Sequence, residues 1–307
     1  MSKPKICVVG AANFDLISYV PRLPTIGETL HGSRFHMGYG GKGANQAVMA
    51  AKLGAEVAMI TKLGRDMFGE GTLKNFEAWG VDTRHVLVTG EAASGVAPIA
   101  VDSEGNNAII IVTGANDLIT EAEIEAARPT IADSQLLICQ LEIPLEINLK
   151  ALRVAREEGV TTIMNPAPAQ AELPDELYEL SDIFCPNESE TQLLTGQSVE
   201  TLAEAEAAAR VLVKRGAGIV ILTLGERGSL LVTAEESTHV PAPKVKALDT
   251  TGAGDSFVGS LAYFLAAGQP MTEAMRRANE IAAISVQSSG TQSSFPTAAE
   301  LPADLLR

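Results

Sequence analysis

Short apolar runs alternate along this chain with longer stretches in which apolar residues return every three to four positions. Residues 6–9, 56–61, 135–139, 161–164, 182–185 and 218–224 are apolar almost throughout and rich in β-branched side chains, the pattern of strands buried on both faces of a parallel sheet. Between them, residues 120–127, 145–158 and 201–214 are rich in Ala, Glu and Leu at helical spacing. The alternation predicts an α/β fold with a doubly wound, mostly parallel sheet flanked by helices. Two regions break the rhythm, residues 16–35 and 86–112. In the second, the runs 94–101 and 108–112 flank a polar turn at 102–107, which signals a hairpin. Strands from about 13–40 and 94–113 are therefore expected to form a small β-sheet lid over the edge of the main sheet. No repeat, low-complexity tract or linker interrupts the chain, so residues 1–307 are expected to form a single α/β domain.

The glycine cluster at 249–257 carries the most chemistry. From Phe257 through Val258, Leu261, Ala262 and Leu265 the apolar spacing is helical, and Gly268 with Pro270 closes the helix. Gly252 and Gly254 thus fall on its first turn, where free N–H groups and the positive end of the helix dipole suit an anion such as phosphate. Asp255 stands beside that anion site. A carboxylate there repels a phosphate unless it has another task, and accepting the proton of an attacking hydroxyl is such a task. The pattern reads as a phosphotransferase, against the bland alternative of an Asp that caps a helix after a glycine-rich turn.

A second cluster, Gly38, Gly40, Gly41 and Gly43, satisfies the spacing of a dinucleotide loop. Its place in the chain argues otherwise, because the first strand ends instead in Gly10-Ala11-Ala12-Asn13. Nor is it a P-loop, since His36 occupies the first glycine position and Gly43 the hydroxyl position after Lys42. What remains is a turn that lets a ligand approach closely and offers Lys42 and Asn45, which suits a polyhydroxylated substrate. Asn13 and Asp15 follow the first strand and point to one face if extended. Glu142 follows the strand at 135–139, while Asn187, Glu188 and Glu190 follow that at 182–185 and can organise a metal-bound phosphate through water. Ligands of open α/β sheets bind at the carboxyl ends of the strands, although a single carboxylate there is often a solvated helix-start residue.

Composition narrows the classes. Hydrophobic residues make up 46% and charged residues 20% of 307, as in a soluble enzyme. The formal net charge of −15 argues against nucleic acid or anionic membrane as a partner and leaves room for a small anionic substrate met locally. The start of the chain leads into a strand rather than a signal peptide, and a cytoplasmic location is expected. Cys7, Cys139 and Cys185 lie in apolar runs far apart and read as core thiols rather than disulfides or a zinc site. His31, His36, His85 and His239 show no metal-ligand spacing.

Over nearly its whole length the chain resembles the ribokinase (carbohydrate kinase) family. The two regions that carry the resemblance are 40–47 (Gly-Gly-Lys-Gly-Ala-Asn-Gln-Ala) and 249–257 (Asp-Thr-Thr-Gly-Ala-Gly-Asp-Ser-Phe), with 165–168, 186–190, 223–228 and 290–294 matching in the same order. The resemblance implies that Asn13, Asp15, Gly41, Lys42, Asn45 and Glu142 bind a sugar, with Asp255 as base at its reactive hydroxyl. It implies that Gly252, Ala253 and Gly254 form the anion hole, and that Asn187, Glu190, Thr223, Gly225, Gly228 and Asn279 meet ATP and water-bound Mg2+. Asp249, Thr251, Ser285, Ser288, Gly290 and Ser294 resemble a K+ loop, and the lid strands would pair two subunits into a homodimer. The activity implied is transfer of the γ-phosphoryl group of ATP to the 5-hydroxyl of D-ribose. A 2-deoxyribose kinase shares most of these motifs; a nicotinamide-dependent oxidoreductase and a non-catalytic sugar sensor are the remaining alternatives. Asn13 discriminates between the two sugars, because the resemblance puts an apolar residue there in deoxyribose kinases.

Overall fold

The structure, a computed structural model, describes residues 3–104 and 106–306. Nine strands form one sheet: β1 (Lys5–Val9), β4 (Glu56–Gly64), β5 (Asp82–Thr89), β8 (Leu136–Gln140), β9 (Thr161–Asn165), β10 (Ile183–Phe184), β11 (Ile219–Thr223), β12 (Ser229–Val232) and β13 (Ser237–Val240). They lie in the order β13-β12-β11-β10-β9-β8-β1-β4-β5, all running the same way except β12, which is antiparallel to both of its neighbours. A second sheet of four strands, β2 (Asn13–Tyr19), β3 (Arg34–Gly40), β6 (Gly95–Val101) and β7 (Asn107–Ile109), has the order β3-β2-β6-β7. The helices are α1 (Lys42–Lys52), α2 (Met67–Ala78), α3 (Glu121–Ala126), α4 (Arg128–Ala132), α5 (Leu145–Glu157), α6 (Asp175–Glu179), α7 (Glu188–Thr195), α8 (Leu202–Lys214), α9 (Ala253–Ala266) and α10 (Met271–Ser285).

Strand alternation divides the interior in two. Ile6 and Val8 of β1 join a core built with α1, α2, α9 and α10, whereas Cys7 and Val9 point the other way into a core with α3–α6 and α8. The doubly wound architecture read from the apolar runs is thus present. Thr120 and Thr201 close capping boxes with Glu123 and Glu204, which fixes where α3 and α8 begin.

Three details differ from the sequence reading. Residues 86–89 belong to β5 of the large sheet, because the chain leaves that sheet only after Thr89. Residues 20–33 connect β2 and β3 rather than forming strands, while the outer ends of those strands fall at Asn13 and Gly40, as the sequence reading placed them. The return strand of the hairpin ends at Ile109 rather than Val112: Pro98 of β6 has no N–H to donate, so pairing continues only through Ile110 N–H to the Pro98 carbonyl and the Val96–Val112 bridge.

Topology locates a crevice. After β1 the chain enters the small sheet and α1 on one face; after β8, the neighbour of β1, it enters α5 on the other. Connections that part in this way open a cleft at the carboxyl ends of the two strands. Gly10 after β1 and Gly43 of α1 meet back to back there, since a Cβ on Gly43 would lie 2.8 Å from the backbone of Gly10. Gly43→Ala therefore forces backbone apart, a cost of about 1–3 kcal/mol that exceeds the gain of about 1 kcal/mol in helix propensity. Denaturant unfolding of that variant should show the corresponding drop in midpoint; an unchanged midpoint would contradict the close packing.

Candidate active site

A cleft of about 150 Å3 opens where four elements converge. Its walls include Lys42 at the start of α1, Asn187 and Glu190 at the start of α7, Thr223 at the end of β11, and Gly252 to Asp255 at the start of α9. Gly252 takes a left-handed φ of 77° as the N-cap, and no side chain caps the helix. The Ala253 N–H donates to the Thr250 carbonyl at 3.2 Å, and the rest of the first turn of α9 borders the cleft with its backbone. A Cβ on Gly254 would meet nothing within 4 Å, so the backbone itself borders open space.

Asp255 is buried, and both its oxygens accept hydrogen bonds: Oδ2 from Asn45 Nδ2 and Oδ1 from Gln46 Nε2, each at 2.9 Å. The donors are themselves held. Gln46 Nε2 also reaches Asn165 Oδ1 at 3.0 Å and its Oε1 accepts from Gln140 at 2.7 Å, while Asn45 Oδ1 accepts from Gln292 at 3.0 Å. Asn75 donates to Gln292 Oε1 at 2.8 Å. Lys52, at the far end of α1, donates to the carbonyls of Gln292 (2.7 Å) and Phe295 (2.8 Å). One helix thereby braces Asp255 at its start and the 292–295 segment at its end.

The small sheet presents Asn13 and Asp15 on one face, as the period of two requires. Neither lines the 150 Å3 cleft, but Asp15 lies close enough to Glu142 and Asp255 to feel their charges. Burial pushes the Asp15 carboxyl up to about 7, the two neighbouring carboxylates add to it, and a hydrogen bond with Thr291 opposes it. Glu142 accepts the Lys42 backbone N–H at 2.8 Å, capping α1 from a hundred residues away; burial raises its pKa against the pull of Lys42. Glu190 is raised to about 6, by burial first, with its hydrogen bond from the Asn187 backbone and the charge of Lys42 opposing. For Lys42 the lowering by burial is outweighed by Asp255, Glu142 and Glu190, and its pKa rises. Gly41, at φ 87°, brings the turn before α1 so close that a Cβ would lie 2.6 Å from Asn13 N.

The other residues singled out in the sequence are held by local contacts, in the cleft wall or beyond it. Asn187 and Glu190 form a capping box, using much of their polar capacity on α7. Gly225 and Gly228 frame a short turn after β11, and Asn279 donates to Ser229 Oγ (3.1 Å) and the Val240 carbonyl (3.0 Å), outside the cleft lining. Asp249 accepts from the N–H groups of Thr251 and Gly290, both at 2.9 Å, and so ties its loop to the 285–294 segment. Ser285 and Ser294 are buried and donate to the carbonyls of Ala282 and Thr291, leaving their oxygen lone pairs as acceptors; Ser288 is exposed. The three cysteines are buried free thiols, Cys7 pushed up to about 12 by burial. His85 contacts Thr130 Oγ1 and His239 the Arg227 carbonyl. Among the described residues, no helix is long and apolar enough to cross a membrane.

Sequence reasoning gave no role to Gln46, Gln140, Asn165 or Gln292. Gln140 and Asn165 end β8 and β9, so the strand-end rule that found Glu142 applied to them too. Gln46 lies one residue beyond Asn45; Gln292 sits in irregular chain where no period points at it.

Carbohydrate phosphorylation is the chemistry to which this fold and cleft belong: residues 3–298 match the pfkB family of carbohydrate kinases, and the chain is a member of that family. Mouse ribokinase (Mus musculus) is 46% identical over 301 residues, spanning 97% of this chain and 93% of that protein. A deoxyribokinase from Salmonella typhi is 43% identical over 292 residues, 95% of each chain. The structure of Arabidopsis thaliana ribokinase complexed with ribose and ATP superposes with a TM-score of 0.91 at 31% identity, covering 100% of this chain and 99% of that one.

The charge crowding generates a prediction. Asp15 has a folded-state pKa near 7 against an ordinary 3.8, so the folded chain binds that proton more tightly than the unfolded one, and wild-type stability falls as pH rises through this window. Asp15→Asn removes the cost: the variant should be more stable than wild type at pH 8, by roughly 1–3 kcal/mol, and little different at pH 4. Urea unfolding at both pH values checks this, and a variant less stable at pH 8 would refute it.

Proposed function

We propose that the protein is an ATP-dependent kinase that phosphorylates the 5-hydroxyl of D-ribose, with Asp255 as general base. The observation that carries this reading is the Asp255 carboxylate, fixed at both oxygens by Asn45 and Gln46 on the first turn of an uncapped helix that opens into a cleft with Lys42. A carboxylate has about four lone-pair sites and two are used, so one oxygen can still accept a hydroxyl proton. The N–H groups of Gly252, Ala253 and Gly254 stabilise the transferring phosphoryl group, and Lys42 adds positive charge beside it. Asn13, Asp15, Gly41, Lys42, Asn45 and Glu142 hold the sugar. Thr223, Gly225, Gly228 and Asn279 contribute to the nucleotide side.

Asn187 and Glu190 suit Mg2+ held through water, because a carboxylate buried beside the cleft gains from a cation. When bound, the ion neutralises phosphate charge. Asp249, Thr251, Ser285, Ser288, Gly290 and Ser294 suit K+: the two segments are joined by Asp249, and the buried hydroxyls of Ser285 and Ser294 have spent their protons on carbonyls. The relatives include enzymes for both sugars, and the amide at Asn13 favours ribose over 2-deoxyribose. Free buried thiols accord with the cytoplasm.

We also infer a homodimer through the small sheet, which closes over the sugar and excludes water. Ile109 and Ile111 on one face of that sheet and its margin, and Phe35 and Met37 on the other, are exposed, apolar area that a second copy can cover. By register, Ile109 and Ile111 share the face of Asp15, whereas the half-buried Val96 lies on the other.

Initial rates with ATP across ribose, 2-deoxyribose, fructose and nucleosides test the reading; ribose should give the highest kcat/KM, and a preferred nucleoside or fructose would reject it. Asp255→Asn should lower kcat by about 10²–10⁴-fold per folded molecule, and near wild-type turnover would remove Asp255 as base. The new amide also sets an N–H against one of two donors, so a stability loss of about 1–3 kcal/mol is expected alongside. Exchanging Na+ for K+ at constant ionic strength should raise the rate several-fold; equal rates would argue against the cation loop. Sedimentation at micromolar concentration should show a dimer, and a monomer alone would sink the pairing of small sheets.

A further inference from the structure

Ala12, Asn116 and Asn13 form a hydrogen-bond chain whose direction is fixed at one end by the backbone. Ala12 N–H donates to Asn116 Oδ1 at 3.0 Å, and a backbone N–H cannot reverse its role. Asn116, wholly buried in the short helical turn Gly114–Leu118, is thereby oriented. Its Nδ2 faces the carbonyls of Thr113 (2.8 Å) and Ala12 (3.3 Å), which can only accept, and donates to Asn13 Oδ1 at 2.9 Å. Asn13 thus offers its oxygen to Asn116 and has its NH2 group left for anything else. The pair is packed against Gly95, the cross-strand neighbour of Asn13: a Cβ there would lie 2.1 Å from Asn13 Oδ1 and 2.3 Å from Asn116 Nδ2.

That direction has a chemical consequence. Asp15, two residues along the same face of β2, is an acceptor when ionised. A hydroxyl held between the two accepts from Asn13 and donates to Asp15, so both side chains are satisfied at once. With the Asn13 amide reversed, two acceptors would compete for one proton.

We propose that Asn116 is a specificity-determining residue that acts through Asn13, holding the amide with its NH2 group toward the sugar and so selecting a sugar with a hydroxyl where 2-deoxyribose has none. The inference rests on the reading of the site as a ribose kinase in which Asn13 meets that hydroxyl. Asn116 is a positioning residue and touches no substrate.

Asn116→Asp tests this at nearly constant volume. Its carboxylate can still accept from Ala12 N–H but cannot donate to Asn13, which must turn over. The ratio of kcat/KM for ribose to that for 2-deoxyribose should fall by about tenfold or more, mainly through ribose. Asn116→Ala, which frees Asn13 without reversing it, should lower the ratio less, and it decides the matter by the same measurement where the Asp variant does not fold. A merely structural role would cost both sugars equally, and an unchanged ratio in the folded variants overturns the proposal. Asn13→Met is measured beside them and should shift the ratio toward 2-deoxyribose by about tenfold. In the double variant Asn13→Met/Asn116→Asp the ratio should equal that of Asn13→Met alone; additive effects overturn the coupling. If Asn13→Met itself leaves the ratio unchanged, the sugar reading of Asn13 falls and this inference with it; if Asn13→Met changes the ratio while the Asn116 variants do not, only this inference falls.

Discussion

Repulsion among Asp15, Glu142, Glu190 and Asp255 is the force against which the rest of the site is arranged. Two like charges about 5 Å apart cost about 3 kcal/mol at an effective dielectric constant near 20, and burial adds to the cost of each. Lys42 faces three of the four. The remaining compensation is mostly uncharged: the Lys42 backbone N–H on Glu142, the Asn187 N–H on Glu190, and the amides of Asn45 and Gln46 on Asp255. Neutral donors have an advantage at a carboxylate proposed to act as a general base. A lysine or arginine in their place would hold the carboxylate more firmly but depress its basicity, whereas amides fix its position and leave it able to take a proton.

Topology decides which residues share that cost. The chain parts to opposite faces after β1 and β8, and the resulting crevice gathers Asn13 and Asp15 from one exit and Glu142 from the other. Helix α1 then returns along the same crevice with Lys42, Asn45 and Gln46 spaced on its first turn, and α9 packs against α1 so closely that a Cβ on Gly259 would lie 2.7 Å from the Gln46 carbonyl. The contact between the two helices sets the distance from Gln46 to Asp255. Packing and charge are therefore coupled: the small residues that let the helices meet are what puts a neutral donor on each carboxylate oxygen.

The legible parts of the chain were those governed by period or by glycine. Buried strands showed as unbroken apolar runs, and the start of α9 showed because Gly252 and Gly254 interrupt the chain just before a helical period. The small sheet was visible as a disturbance, but the extent of each strand within it was not. Pro98 truncates the pairing of β7 through a missing donor, and residues 86–89 carry no mark of which sheet they enter. The amide network was hidden for a different reason. Gln46, Gln140 and Asn165 are ordinary polar residues until two strands and a helix bring Gln46 within 3.0 Å of each of the other two, and their value lies in which atom faces which, a property no single position records.

Lys52, Gln292 and Phe295 have a bearing on how the protein is made. Asn45 is restrained by Gln292, and the backbone around Gln292 is anchored by Lys52, so the environment of Asp255 is completed by a segment synthesised some 240 residues after the helix it braces. While the ribosome still holds that segment in its exit tunnel, the core that includes Phe295, Leu301 and Leu305 is incomplete, whereas the other, whose members end at Val232, is not, and Asn45 lacks the partner that positions it on Asp255. Assembly of the fold can begin early in translation; a competent site must wait until residue 295 has cleared the tunnel.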